Sequence, residues 1–265
     1  MRLVAFGCSN TFGQSLPDVW DYEKNEGIFN QGPSKYAWPQ LLADKLNVEC
    51  INNGIPGASN KEIWYNIVNA EFENDDIIII LWSHLNRYCL IQKNKIMQLG
   101  TWMVMDQLRR WCFSQKQREQ TKTFFKYFYN EYDMLLDFYL RTNHIQSFLQ
   151  DKVELVKHLT IFKLAGGQEY PRGEEEWGEG TFHVPSQPNF NPLEGPNSGW
   201  IHFDQLINWN KIKLSHNLCM DDFIEQYPSN ALDSRHPGLK THKEFATAIY
   251  NEIKYENPEK FNRQQ

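Results

Sequence analysis

The chain has 265 residues, 41% of them hydrophobic and 14% aromatic, which is enough for one large core and argues against global disorder. Acids outnumber bases, 33 to 27, for a net charge of −6. That balance argues against nucleic acid as the main partner, because neutralising a phosphate backbone takes clustered Lys and Arg. Five scattered cysteines (Cys8, Cys50, Cys89, Cys112, Cys219) form no C-x-x-C pair and suggest free thiols in a reducing cytoplasm rather than a zinc or redox motif. The opening "MRLVAFGCSN" has one basic residue and too short an apolar stretch for a signal peptide, and no window approaches the ~20 apolar residues that span a bilayer. The expectation is a soluble cytoplasmic protein without a membrane partner.

In chain order, Leu3–Phe6 reads as a short buried strand, followed by a polar, Gly-containing stretch to about Ser34. "YAWPQLLADKL" spaces Trp38, Leu42 and Leu46 four apart, a helical stripe, with Pro39 acceptable in a first turn. "VECINNG" is a second strand ending at Gly54. "SNKE" fits a capping box, Ser59 as N-cap and Glu62 reaching back, before a helix with Ile63, Ile67 and Ala70 on its apolar face. "DDIIIILWS" holds four consecutive isoleucines without alternation, the pattern of a strand buried on both faces in a parallel sheet. The first 84 residues thus read β-α-β-α-β, an α/β domain with right-handed crossovers. In such sheets the ligand crevice lies beyond the carboxyl ends of the strands, which directs attention to "GCSNT", "NNGIPGASN" and "SHLNR".

Residues 95–155 are expected to be a helical insertion, dense in aromatics in "FFKYFYNEYDMLLDFYL", whose first role is packing. "HLTIFKLAG" reads as a fourth strand starting near His158. From Gly166 to Trp200 periodicity is lost; this stretch holds seven of the 15 glycines and five of the 12 prolines. It reads as a long irregular loop, either a cover over the crevice or a passive surface excursion. The chain is taken as a single domain over residues 1–265. At its end, Phe245, Ile249 and Ile253 form a helical stripe, and Pro237 biases His236 away from the α-region, so Asp233 and His236 share a turn before the last helix.

A serine hydroxyl needs a base, normally an imidazole, and that imidazole needs an acceptor on its other nitrogen. Ser9 in "FGCSNTFG" and the Asp233–His236 pair supply those groups if both lie at the carboxyl edge of the sheet. The Ser9 N–H, the Gly57 N–H and a side chain of "SHLNR" are then the available oxyanion donors. Read without the others, Ser9 is an ordinary turn residue, Cys8 a lesser candidate nucleophile and His242 a surface or packing histidine. His84 is a donor, a ligand or a satisfied polar group, and no metal-spaced partner adjoins it. The missing G-x-S-x-G argues against an α/β-hydrolase nucleophile elbow.

These residues together resemble the SGNH (GDSL-type) hydrolases. "FGCSNTFG" is similar to their first block, with Cys8 where the family has Asp; "NNGIPGASN" is similar to the second, and "DSRHPG" matches the last. The "GCS" opening with "HPG" looks most like members from bacteriophages and bacteria. The resemblance implies a flavodoxin-like three-layer α/β/α sandwich with a mostly parallel sheet in the order 2-1-3-4-5. It implies Ser9 as nucleophile, Asp233 and His236 as triad acid and base, and Gly57 as an oxyanion glycine. It implies no cofactor and no metal. The third block departs from the family's G-x-N-D: counting from the strand end puts His84 at the Asn position, keeping an asparagine selects Asn86, and Ser83 is a further donor. The implied activity is a serine esterase acting on an acyl ester, such as an O-acetyl group on a carbohydrate, in the host cytoplasm if the chain is phage-encoded. An O-acyltransferase would use the same triad. The competing class is an inactive binding or structural module, in a phage particle or a host-interaction complex.

Overall fold

Ile77–Ile80 lie at the centre of the molecule, fully buried, in a strand with neighbours on both edges and helices over both faces. The computed structural model describes residues 1–28, 30–93, 95–105, 113–129, 131–162, 214–257 and 259. The central sheet comprises β1 (Arg2–Gly7), β4 (Glu49–Gly54), β5 (Ile77–Trp82), β8 (Leu155–Thr160) and β9 (Leu214–Cys219), all parallel, in the order β4-β1-β5-β8-β9. Counting only these strands, the order is 2-1-3-4-5, as the resemblance implied. Two residue-pair strands, β2 (Trp20–Asp21) and β3 (Glu26–Gly27), form a small ribbon beyond the first helical turn, α1 (Ser9–Phe12).

The crossover from β1 to β4 runs through α2 (Trp38–Leu46), and that from β4 to β5 through α3 (Asn60–Val68). These connections travel in opposite directions along the sheet, so right-handed crossovers put α2 and α3 on opposite faces. The last helix, α8 (Leu239–Glu256), packs beside α2, where Trp38 meets the edge of Phe245 at 5.8 Å. On the other face α6 (Glu131–Leu149) packs beside α3 and sets Phe138 edge-on against Trp82 at 5.8 Å. The result is a three-layer α/β/α domain. The short α7 (Met220–Gln226) follows β9. Among the described residues no helix is long and apolar enough to cross a membrane.

Several local readings need correction. The helical insertion expected from residue 95 begins instead with a strand: β6 (Arg87–Gln92) and β7 (Lys95–Gly100) form an antiparallel hairpin outside the central sheet. Helices α4 (Trp102–Met105) and α5 (Gln115–Tyr127) follow it, whereas α6 is a layer of the sandwich rather than an addition to it. The fourth strand starts at Leu155, not His158. A polar residue hid its start: Lys157 is buried and pairs with Glu252 and, at 3.1 Å, with Glu256 on α8. The irregular stretch 166–200 and Cys112 lie outside the described residues.

Candidate active site

The carboxyl ends of β1, β4 and β5 lie side by side, which brings the three quoted segments to one edge. After β1 the chain turns at Cys8, whose carbonyl accepts from both Thr11 and Phe12 N–H at 3.0 Å, and Ser9 becomes the first residue of α1. A first-turn N–H has no acceptor within its own helix, so the Ser9 amide is a donor available to a ligand. The Ser9 side chain is buried; among the described residues its hydroxyl makes one weak contact, 3.9 Å to Cys8 Sγ, and no hydrogen bond joins it to His236.

β4 presses directly against this turn. A Cβ on Gly54 would sit 2.3 Å from the Phe12 backbone nitrogen, so only glycine permits the approach. Asn52, assigned no role from sequence, braces the same junction: its Nδ2 donates to the Thr11 carbonyl at 2.7 Å and its Oδ1 accepts from Gly54 N–H at 2.9 Å. Ile55 N–H then bonds the Gly7 carbonyl at 3.0 Å, and the chain turns through Pro56 and Gly57, the latter at φ 80°. That left-handed value favours glycine. Ser59 caps α3 as expected, accepting from Glu62 N–H at 3.3 Å.

Asp233 and His236 occupy a tight turn whose stem is closed by Ala231 N–H to the His236 carbonyl (2.9 Å) and Gly238 N–H to the Ser229 carbonyl (2.7 Å). Asp233 Oδ2 lies 2.6 Å from His236 Nδ1, and its Oδ1 accepts from the backbone of Arg235 (3.0 Å) and His236 (3.1 Å). Burial alone would push the Asp233 carboxyl up, but these bonds and the imidazole's charge outweigh it and hold it well below the usual range. An ionised Asp233 accepts, so the proton sits on Nδ1 and the Nε2 lone pair of His236 is the basic site. The turn is fastened to the Ser9 segment. Leu232 N–H bonds the Ser15 carbonyl at 3.0 Å, and Ala231 packs with Phe12, Leu16, Val19 and Ala37.

His242 is the second fastening, and the sequence reading placed it at the surface or in packing. It is buried; its Nδ1 accepts from the Trp38 backbone N–H at 3.1 Å and its ring also bonds the Pro237 backbone. It therefore ties the start of α2 to the residue following His236. Burial first, then the nearby His236 charge, lower its pKa to about 3, and it stays neutral.

The third segment divides its candidates. Ser83 N–H donates to Asn60 Oδ1 at 2.7 Å and the Ser83 carbonyl accepts from Asn60 Nδ2 at 3.0 Å, so that backbone is already engaged. The Ser83 hydroxyl is fully buried. His84 is held neutral, its pKa lowered to about 3 by burial and then by the Arg87 charge. Asn86 is half-buried, and among the described residues no hydrogen bond joins it to Ser9, Gly57 or His236. Asn60 was inside the quoted "NNGIPGASN", but its tie to the end of β5 left no mark in the pattern.

A cleft of about 760 Å³ opens beside Gly57. It is lined by Gln14, the Pro56–Gly57 turn, the β6–β7 hairpin and the start of α5; Ser9, Asp233 and His236 are not among its lining residues. Its size falls in the range of small-ligand pockets.

Fold and edge define the class first: a parallel α/β domain with a serine at the first strand's exit and an Asp–His pair on the last turn. No protein-family model matches the chain, and no curated protein does. Solved structures similar to it include a carbohydrate acetylesterase from Sinorhizobium meliloti, 11% identical, with 96% of this chain and 98% of that one covered at a TM-score of 0.45. A member of the lipolytic G-D-S-L family from Veillonella parvula is 14% identical over 95% and 97% of the two chains, TM-score 0.45. Phospholipase A1 from Streptomyces albidoflavus is 12% identical over 95% and 98%, TM-score 0.45.

Proposed function

We propose that the chain is an SGNH-type serine esterase that hydrolyses an acyl ester. The observation that carries the reading is the 2.6 Å Asp233–His236 bond on a turn fastened to the segment that begins with Ser9. Ser9 Oγ attacks the ester carbonyl while His236 Nε2 takes its proton; the oxyanion is held by the Ser9 and Gly57 N–H groups and by Asn86. His236 then returns the proton to the departing alkoxide, leaving an acyl-serine. Water attacks this ester with His236 again as base, and Ser9 leaves reprotonated. Asp233 keeps the ring in one tautomer and stabilises the imidazolium.

The test is hydrolysis of p-nitrophenyl acetate by the wild type and by Ser9→Ala. Losing a nucleophile of this kind costs about 10⁶-fold in turnover, so the expected result is a rate reduced to background. Equal rates in the two proteins would remove the reading.

A further inference from the structure

In the turn Ile55–Ala58, Pro56 holds the second position and Gly57, at φ 80°, the third; Ala58 N–H closes it on the Ile55 carbonyl at 3.0 Å. These are the marks of a type II turn. Types I and II differ chiefly in the orientation of the central peptide, here the Pro56–Gly57 unit. The Pro56 carbonyl and the Gly57 N–H belong to one rigid trans plane and point in opposite directions. Whatever holds the carbonyl therefore aims the amide.

Gln98 holds it. From β7, its Nε2 donates to the Pro56 carbonyl at 3.2 Å and to Glu62 Oε2 at 2.9 Å. Both partners are acceptors, which fixes the orientation of the Gln98 amide. Glu62 is itself anchored in the first turn of α3, where Ser59 Oγ receives its N–H. Burial raises the Glu62 carboxyl, while the Gln98 bond and the Ser59 backbone pull it down.

We propose that Gln98 is a positioning residue for the oxyanion site: it locks the Pro56–Gly57 peptide so that the Gly57 N–H faces the reacting carbonyl. The catalytic half of this inference rests on the esterase reading; the orientation of the peptide does not.

The experiment compares Gln98→Met with Glu62→Gln, using p-nitrophenyl acetate turnover and the residual dipolar coupling of the Gly57 N–H, which reads bond direction. Gln98→Met removes the bond to Pro56; Glu62→Gln keeps an acceptor carbonyl for Gln98 and should preserve it. The expected result for Gln98→Met is a kcat lower by about 10- to 100-fold with KM unchanged, short of the 10²–10³ that follows outright loss of a donor. Glu62→Gln should stay close to wild type. An unchanged kcat in a folded Gln98→Met protein, a rise in KM alone, or an equal loss in Glu62→Gln would overturn the proposal. The dipolar coupling, measured on a Ser9→Ala background, requires no turnover. A changed Gly57 coupling in Gln98→Met supports the brace, and an unchanged one overturns it. It decides this even where the wild type hydrolyses no ester and the esterase reading itself falls.

Discussion

Lowering the pH from about 7 to about 5 should cost this fold about 4 kcal/mol, before any carboxylate ion pair is protonated. Two fully buried histidines set the figure. His158 accepts the Trp82 indole N–H on Nδ1 at 3.0 Å, edge to edge with that ring and with planes 3° apart; His242 accepts the Trp38 N–H on Nδ1 at 3.1 Å. Burial pulls both to about 3 from an ordinary value of 6.5, and a proton on Nδ1 would also break each bond. Their folded values lie below the unfolded one, so their stabilisation is complete above pH 6.5 and is lost as the unfolded chain takes up protons. Each contributes about 1.4 kcal/mol per pH unit in that window, which gives about 4 kcal/mol for two groups over the 1.5 units down to pH 5.

Two half-buried groups act in opposite senses and nearly offset each other. His84 behaves like the pair above. Asp221, raised to about 7 by burial and then by Asp222 and Glu225, holds a proton that the unfolded chain releases. Against a total stability of 5–15 kcal/mol, the net loss is large. Urea unfolding followed by tryptophan fluorescence should show the midpoint falling by more than about 1 M between the two pH values, at an m-value of about 3 kcal/mol/M. Equal midpoints, or either imidazole titrating above pH 6 in the folded protein, would refute the reasoning.

Asp233→Asn should leave the fold intact, because the side chain can still accept from the Arg235 and His236 amides, but it favours the wrong His236 tautomer. A drop in kcat of about 10⁴-fold on p-nitrophenyl acetate is expected. Asn60→Leu leaves the Ser83 N–H and carbonyl buried without their partner. At about 1–2 kcal/mol for each group, the melting temperature should fall by roughly 5–15 °C in a thermal scan.

What could be read from sequence alone follows from the range over which each signal acts. The Ile77–Ile80 run marked a doubly covered strand of a parallel sheet, whereas the order of the strands came from the family resemblance. Ser59 was legible as a cap because its partner is three residues away. The β6–β7 hairpin was not: among the described residues its strands pair only with each other, and the mixed burial of Arg87–Gln92 and Lys95–Gly100 gives neither clean alternation nor a continuous apolar run. Lys157 disguised the start of β8, because its burial is satisfied by carboxylates on a distant helix. In the candidate site, Ser9, Gly57, Asp233 and His236 stood out through their order and local turn chemistry. Asn52, Asn60, Gln98 and His242 did not, since each acts on a backbone group 23 or more residues away or, for Asn52, on both a neighbour and the distant Thr11.

The central claim is that Ser9 is a nucleophile activated by His236. Fluorophosphonate labelling, located by mass spectrometry, tests it without any choice of substrate. The account predicts a single adduct on Ser9 in the wild type and its disappearance in a folded His236→Ala protein. An unlabelled wild type, an adduct on Cys8 or another residue, or labelling of Ser9 at the same rate without His236 would contradict it.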